Sequence, residues 1–209
     1  PKCNYHNISV DTDKNEITLK TDDTAIELGA IAKGYIADRL KEYLVSQGVE
    51  SAIINLGGNV LCIGSQPDGE PFRIGIQKPF ASHNETVGFV EIDDASVVSS
   101  GVYERCFTAD GKNYHHLLDP RTGYPYDNGL ISVVIICPES VDGDALSTTC
   151  FSLGLEKGME LLDSTEDAAG IFITEDYELH FSEGAAELSI YDEDGKPLKN
   201  LNEVTDYES

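Results

Sequence analysis

Apolar residues recur at three- and four-residue steps between positions 30 and 47, which is the spacing of one face of an α-helix. Gly48 follows directly, and glycine is a common end of a helix. The pattern therefore predicts a first helix over Ala30–Gln47. The residues that carry it are Ile31, Tyr35, Ile36, Leu40, Tyr43 and Leu44.

A second helix is predicted after Pro138, from about Ser140 to Leu153, and its continuation to Leu162 is left open. Short apolar runs separated by turn residues predict strands through the rest of the chain. Their density favours antiparallel pairing, and the strongly apolar run 130–137 is predicted to be a central strand. The predicted strands are residues 16–20, 51–55, 60–63, 72–77, 87–92, 96–99, 104–108, 114–118 and 130–137, with a closing hairpin over 168–174 and 177–181.

Strands and helices follow one another without a steady strand–helix–strand alternation, which indicates an α+β fold of mostly antiparallel sheet packed with two main helices. A chain of 209 residues is long enough for one domain with a real core. We expect that domain to occupy residues 1–181. Residues 182–209 are polar, acidic and rich in turn residues, so we expect an acidic C-terminal tail whose last residues are weakly ordered.

The chain carries 38 acidic residues against 14 Lys and Arg, a formal net charge of −24. That charge argues against nucleic acid or an anionic membrane as a partner, and it is compatible with a requirement for a cation. The five cysteines are widely separated, so a zinc cluster or a disulfide framework is not expected. Cys62, Cys137 and Cys150 lie in apolar runs and are predicted to be buried.

No apolar run approaches the length of a membrane-spanning helix. The chain begins at Pro1 without a methionine, so we expect it to be trimmed, and the absence of a targeting segment carries little information.

The stretch from His115 to Gly123 combines most of the groups that phosphate chemistry needs. Asp119 followed by proline starts a turn, and Gly123 can end one with a positive φ. Arg121 can hold a phosphate through two parallel hydrogen bonds, and a histidine can move a proton near neutral pH. The alternative is a solvated turn with ordinary surface histidines.

Asp144 and Thr148 lie four residues apart on the second helix and therefore share one side of it. A carboxylate and a hydroxyl are oxygen donors of the kind that Mg²⁺ prefers. The alternatives are that this side faces solvent, or that Asp144 offsets the helix dipole.

Small residues surround Lys33 at the start of the first helix, between Glu27 and Tyr35. Helix N-termini favour anions and small residues allow a ligand close to the backbone, although the spacing of a P-loop is absent. The alternative is tight packing of the helix against the sheet. The turn at 55–59 and the segment 99–105, which adds a second arginine, are weak signals on their own.

Taken together and in this order, these segments resemble the ApbE family of FAD:protein FMN transferases. The matching blocks are residues 27–35, 55–59, 99–105, 116–123 and 144–149, within a region of similarity from about residue 16 to residue 181. The resemblance implies an α+β fold, bound FAD, and Mg²⁺ held by the carbonyl of Ala30, the carboxylate of Asp144 and the hydroxyl of Thr148. It places Glu27, Lys33 and Leu118 on the flavin nucleotide and makes His116 and Asp144 the catalytic residues.

Two positions depart from the family pattern. The family usually has aspartate where this chain has Glu27, and some members have a carboxylate where this chain has Ser147. Family members also carry a long segment before the region that matches Glu16, so we expect this chain to be the C-terminal portion of the family fold.

The implied reaction is Mg²⁺-dependent transfer of FMN from FAD to a threonine or serine hydroxyl of a target protein, with AMP leaving. In this scheme Arg121 or Lys33 stabilises the charge that grows toward AMP, and His116 takes the proton of the acceptor hydroxyl. Asp119 orients the histidine or takes part directly.

Two alternatives remain open: an FAD pyrophosphatase that releases FMN and AMP, and a non-catalytic flavin-nucleotide-binding fragment. A third possibility is a structural piece that exposes an apolar face without its missing half. The resemblance also implies an electron-transport flavoprotein subunit as the acceptor. It further implies a location outside the cytoplasmic membrane, with anchoring by lipid.

Overall fold

The structure is a computed structural model that describes residues 4–82 and 85–198. Its helices are α1 (Ala32–Ser46), α2 (Ser140–Leu153) and α3 (Leu155–Asp163). Its strands are β1 (Ile8–Asp11), β2 (Glu16–Leu19), β3 (Ala52–Asn55), β4 (Asn59–Ile63), β5 (Phe72–Gln77), β6 (Thr86–Ile92), β7 (Ser96–Gly101), β8 (Cys106–Ala109), β9 (Lys112–His115), β10 (Leu130–Cys137), β11 (Ala169–Thr174), β12 (Leu179–Phe181) and β13 (Ile190–Tyr191).

Six of the strands form one sheet in the order β12-β11-β10-β7-β4-β3, and every neighbouring pair is antiparallel. All eight residues of β10 are buried, which places this strand in the interior, as its strongly apolar sequence predicts. The predicted α+β class with mostly antiparallel sheet is confirmed.

A second sheet, in the order β13-β6-β5, shares its core with the larger one. Val90 of this sheet, Val133 of β10 and Phe172 of β11 are fully buried members of a single apolar cluster. Phe151 of α2 and Leu162 of α3 join the same cluster, so these two helices and both sheets close around the main core. A second, smaller cluster is formed by α1, β3 and β4.

Helix α1 forms where the periodicity predicts it, but its apolar positions are not the ones that it buries. Tyr35 is 56% exposed and Tyr43 is 62% exposed. Gly34, Ala37 and Asp38 are the buried residues of this helix, because α1 packs against α2 along the side that carries small residues.

The two helices cap each other. Asp38 of α1 accepts hydrogen bonds of 2.8 Å from the backbone N–H groups of Ser140 and Val141, at the start of α2. Asp144 of α2 accepts a bond of 2.6 Å from the N–H of Gly34, in the first turn of α1. First-turn N–H groups have no partner inside their own helix, so each buried carboxylate satisfies donors that would otherwise be lost.

The residues that follow the predicted second helix form a separate helix, α3. Gly154 adopts φ +81° and ψ 177°, and this extended left-handed backbone ends α2 before α3 begins. The predicted bounds of the second helix, Ser140 to Leu153, are those of α2, and the open question of its continuation is answered by α3.

The ordered fold continues past residue 181, where the sequence places the start of an acidic tail. β13 pairs with β6, Ala185 is 1% exposed and Ile190 is 4% exposed. The few apolar residues of this segment complete the smaller sheet, and that contact cannot be seen from the acidic composition around them. The prediction of weak order concerns about the last fifteen residues. Most of these, residues 199–209, lie outside the described residues.

Cys62, Cys137 and Cys150 are buried and unpaired, as predicted. Burial raises the pKa of the Cys137 thiol to about 12. Cys3 lies outside the described residues. Within the ranges that the structure describes, the helices are too short or too polar to cross a membrane.

Candidate active site

One open cavity of about 860 Å³ brings together segments that are far apart in the chain. This volume lies in the range typical of small-molecule sites. The segments that line it are represented by Lys33, Gly58, Phe80, Glu104, His116 and Asp144.

The start of α1 forms one wall. Ile31 provides no side-chain cap at this end, and Glu27, Ala30 and Lys33 line the cavity. The Lys33 ammonium donates to the carbonyl of Gly57 at 2.9 Å. The N–H groups of Ala32 and Gly34 at this end are already bonded, to the Leu28 carbonyl and to Asp144. The positive end of the helix dipole beside a fixed ammonium still favours an anionic ligand.

Glu27 folds back on its own segment. Its Oε1 accepts the N–H of Gly29 at 2.8 Å, and an added Cβ at Gly29 would lie 2.5 Å from that oxygen. The carboxylate therefore packs against the chain at the entry to α1, and a side chain at position 29 would displace it.

Asp144 lines the cavity but is only 4% exposed. The alternative that this side of the helix faces solvent is therefore wrong for Asp144. Besides Gly34, it accepts a bond of 3.1 Å from Asn59 Nδ2. The Asn59 carbonyl oxygen in turn accepts from the hydroxyl of Ser140 at 2.8 Å. This buried network fixes the carboxylate in one orientation.

The residues predicted to ligate a metal, Ala30, Asp144 and Thr148, all line the same cavity. The Thr148 hydroxyl lies 3.4 Å from that of Ser100. Each Asp144 oxygen makes one hydrogen bond, and a carboxylate oxygen can accept a second interaction.

A carbonyl, a carboxylate and a hydroxyl are hard oxygen donors and fit Mg²⁺, which takes few protein ligands and retains water. No three His, Cys, Asp or Glu side chains converge in the described ranges, so a site of thiolates and imidazoles is not formed there. Ser147 is buried and does not line the cavity. Its hydroxyl lies 2.9 Å from the hydroxyl of Ser100.

The histidine pair is divided between two environments. His116 lines the cavity, and its backbone N–H donates to the carbonyl of Arg105 at 3.1 Å. The surrounding protein, followed by the Arg105 charge, lowers the pKa of His116. The imidazole is therefore neutral at pH 7 and able to accept a proton.

His115 points into the core instead. Its Nε2 lies 3.1 Å from the carbonyl of Tyr126, and its Nδ1 is buried without a hydrogen-bond partner. Burial lowers the pKa of this imidazole. Of the two neighbouring histidines, only His116 is placed for chemistry in the cavity.

The structure does not bring Arg121 into the cavity. Its guanidinium makes a two-point ion pair with Asp119, and the shortest distance is 3.0 Å. Asp119 also accepts the Arg121 backbone N–H at 2.9 Å, and Gly123 has φ +76°, so the predicted turn is present. Leu118 does line the cavity and is 52% exposed.

Arg105 lies in the cavity lining, and sequence reasoning gave it no role. Beside it, Glu104 accepts the hydroxyl of Ser99 at 3.1 Å. The surrounding protein raises the pKa of Glu104, whereas Lys33 and Arg105 act to lower it. The sequence signal for these two residues was their adjacency, as a glutamate followed by an arginine after the 99–101 segment. Charged residues are common in turns, so this adjacency alone does not identify a functional residue.

Comparison with known proteins matches residues 1–172 to the ApbE family. The FAD:protein FMN transferase of Klebsiella pneumoniae (strain 342) is 50% identical over 157 residues, which cover 75% of this chain and 48% of that protein. The FAD:protein FMN transferase of Treponema pallidum (strain Nichols) is 38% identical over 167 residues, which cover 76% of this chain and 46% of that protein.

The fold has solved counterparts. The ApbE protein of Thermotoga maritima aligns with a TM-score of 0.79 at 32% identity, over 88% of this chain and 59% of that one. The flavin transferase ApbE of Vibrio cholerae aligns with a TM-score of 0.77 at 28% identity, over 88% of this chain and 59% of that one. The chain spans about half the length of the curated relatives that it matches. With most of its residues matched in sequence and in fold, the chain belongs to the ApbE family.

Proposed function

We propose that this chain carries the catalytic end of an enzyme that transfers FMN from FAD to a threonine or serine hydroxyl of an acceptor protein, with Mg²⁺ as cofactor. The observation that carries the proposal is the meeting of a helix N-terminus, the oxygens of Asp144 and Thr148, and a neutral His116 in one cavity. The relatives named FAD:protein FMN transferase support the substrate.

Ala30, Asp144 and Thr148 would hold the metal. When bound, Mg²⁺ neutralises charge on the pyrophosphate and so makes the phosphorus open to attack. Lys33 and Arg105 are the cations of the lining and would stabilise the charge on the departing AMP. Arg105 replaces Arg121 in this role, because Arg121 is engaged by Asp119.

In the transfer step the acceptor oxygen forms a bond to the FMN phosphorus, and the bond from that phosphorus to the AMP oxygen breaks. An unprotonated ring nitrogen of His116 takes the hydroxyl proton, which suits its lowered pKa. His116 lines the cavity and is exposed to solvent, so a hydroxyl carried on another protein has room to approach. A location outside the cytoplasmic membrane, and an electron-transport subunit as acceptor, are part of the proposal.

The test is calorimetric titration of the chain with FAD, with and without Mg²⁺, followed by measurement of AMP in the absence and presence of a threonine-containing peptide. Mg²⁺-dependent binding is expected, with AMP release that requires the peptide and adds the mass of FMN to it. AMP release with only free FMN as the second product supports the pyrophosphatase. Binding without AMP even when the peptide is present supports the non-catalytic alternative, and no binding contradicts the proposal.

A further inference from the structure

We propose that Phe80 is a ligand-binding residue of the cavity, whose ring stacks on a planar heteroaromatic ring of the bound dinucleotide. The inference rests on the proposed function, because it takes FAD as the ligand. FAD carries two such rings, the flavin and the adenine, and both present the same π-face chemistry.

Phe80 lies in the connection between β5 and β6 and lines the cavity. Its side chain is 57% exposed, whereas Tyr103 and Tyr126, the other aromatic residues of the described lining, are only partly exposed. Its backbone has φ +59°, a conformation that is uncommon for a bulky residue. Strained residues persist where their surroundings hold them, and they cluster at ligand sites.

The support for Phe80 is itself fixed. The Tyr103 ring meets the Phe80 ring edge to face, with centroids 5.8 Å apart and an angle of 63°. Tyr103 donates its hydroxyl to Ser132 at 3.3 Å. An added Cβ at Gly101 would lie 2.7 Å from the Tyr103 ring, so this glycine makes room for the aromatic pair.

The remainder of the lining suits other parts of a dinucleotide. Lys33, Asp144 and His116 are polar and match a pyrophosphate with its metal. Phe80, half of whose surface faces the open space, supplies the aromatic platform that these groups lack. Stacking on such a platform accepts any ring with a π-face and is worth roughly a tenfold change in affinity or more.

The test compares dissociation constants for FAD, FMN and ADP-ribose, each with Mg²⁺, in the unmodified chain and in Phe80→Ala, Phe80→Trp and Phe107→Ala. Phe107 is the matched control, because it is 65% exposed and stacks on Tyr114 at 5.3 Å but does not line the cavity. Melting temperatures establish that each variant folds.

Phe80→Ala is expected to weaken FAD about tenfold, while Phe80→Trp and Phe107→Ala bind as the unmodified chain does. If the Phe80→Ala variant also loses affinity for FMN but not for ADP-ribose, the stacked ring is the flavin. If it loses affinity for ADP-ribose but not for FMN, the stacked ring is the adenine. Unchanged FAD affinity in Phe80→Ala, or an equal loss for all three ligands, overturns the inference alone. Failure of the unmodified chain to bind FAD overturns the proposed function together with it.

Discussion

Asp144 serves the fold and the cavity with one carboxylate. It accepts the first-turn N–H of α1 through Gly34, and its residue also lines the cavity. Asp38 makes the reciprocal cap on α2 but is not part of the lining. The two carboxylates are therefore a natural pair for separating a structural effect from a metal effect.

Replacing either carboxylate with alanine is expected to lower the free energy of unfolding by about 2 kcal/mol, because a helix loses its cap. Only Asp144→Ala should also abolish the effect of Mg²⁺ on FAD binding. Urea unfolding measures the first effect, and calorimetry with and without Mg²⁺ measures the second. Loss of the Mg²⁺ effect in Asp38→Ala as well would attribute it to helix capping and contradict the metal assignment.

His116→Ala is expected to slow AMP release by about a hundredfold or more while leaving FAD affinity nearly unchanged, since general-base catalysis contributes at that level. The base works unprotonated, so kcat/KM of the unmodified chain should fall as the pH drops through the lowered pKa of His116. That acid limb lies below about 6.5, the ordinary imidazole value. It should disappear in His116→Ala, and a large loss of FAD affinity would make His116 a binding residue instead.

At the scale of elements, the approach of α1 to α2 positions the cavity walls. An added Cβ at Gly34 would lie 2.2 Å from the carbonyl oxygen of Ser140, so only glycine permits this contact. The same approach lets the Gly34 N–H reach Asp144. The close packing of α1 on α2 therefore also orients the Asp144 carboxylate, the candidate metal ligand.

Gly34→Ala is expected to destabilise the chain by about 2 kcal/mol, within the range for overpacked cores. It should also weaken Mg²⁺-dependent FAD binding, because α1 must move away from Asp144. Glu42→Ala on the exposed side of the same helix is the control and should change stability by less than about 0.5 kcal/mol. Equal stability of the two variants, measured by urea unfolding, would show that the helices tolerate separation.

Several elements were predictable because their signal is local. Strands β5 and β10 have the bounds that their apolar runs predict, and Gly48 follows α1 with φ +87°. α2 has the predicted bounds Ser140–Leu153, but the nature of its continuation stayed open, because the apolar periodicity on the two sides of Gly154 resembles one continuous helix. β13 was missed because two apolar residues in an acidic segment carry no pattern of their own.

At the scale of the whole molecule, the buried His115 makes stability depend on pH. Burial lowers its pKa, so the unfolded chain binds a proton more readily than the folded one. The folded state therefore loses stability as the pH falls below about 6.5, the ordinary imidazole value, and continues to lose it down to the lowered pKa. Above that range this histidine has no such effect.

His115→Gln is expected to reduce the loss of stability between neutral and mildly acid pH. The amide can still donate to the Tyr126 carbonyl, but it does not titrate. Urea unfolding at a series of pH values measures the slope. An unchanged slope would show that groups other than this imidazole govern the acid sensitivity.

The sequence by itself determined the α+β class, most strand and helix positions, and the family, because these depend on local periodicity and on the order of short motifs. Only the tertiary structure decided which polar residues meet. Asp144 is buried against α1, and Arg105 and Phe80 stand in the cavity. The physical reason is that such contacts join residues far apart in the chain, and their partners are set by the packing of helices and sheets rather than by spacing along the sequence.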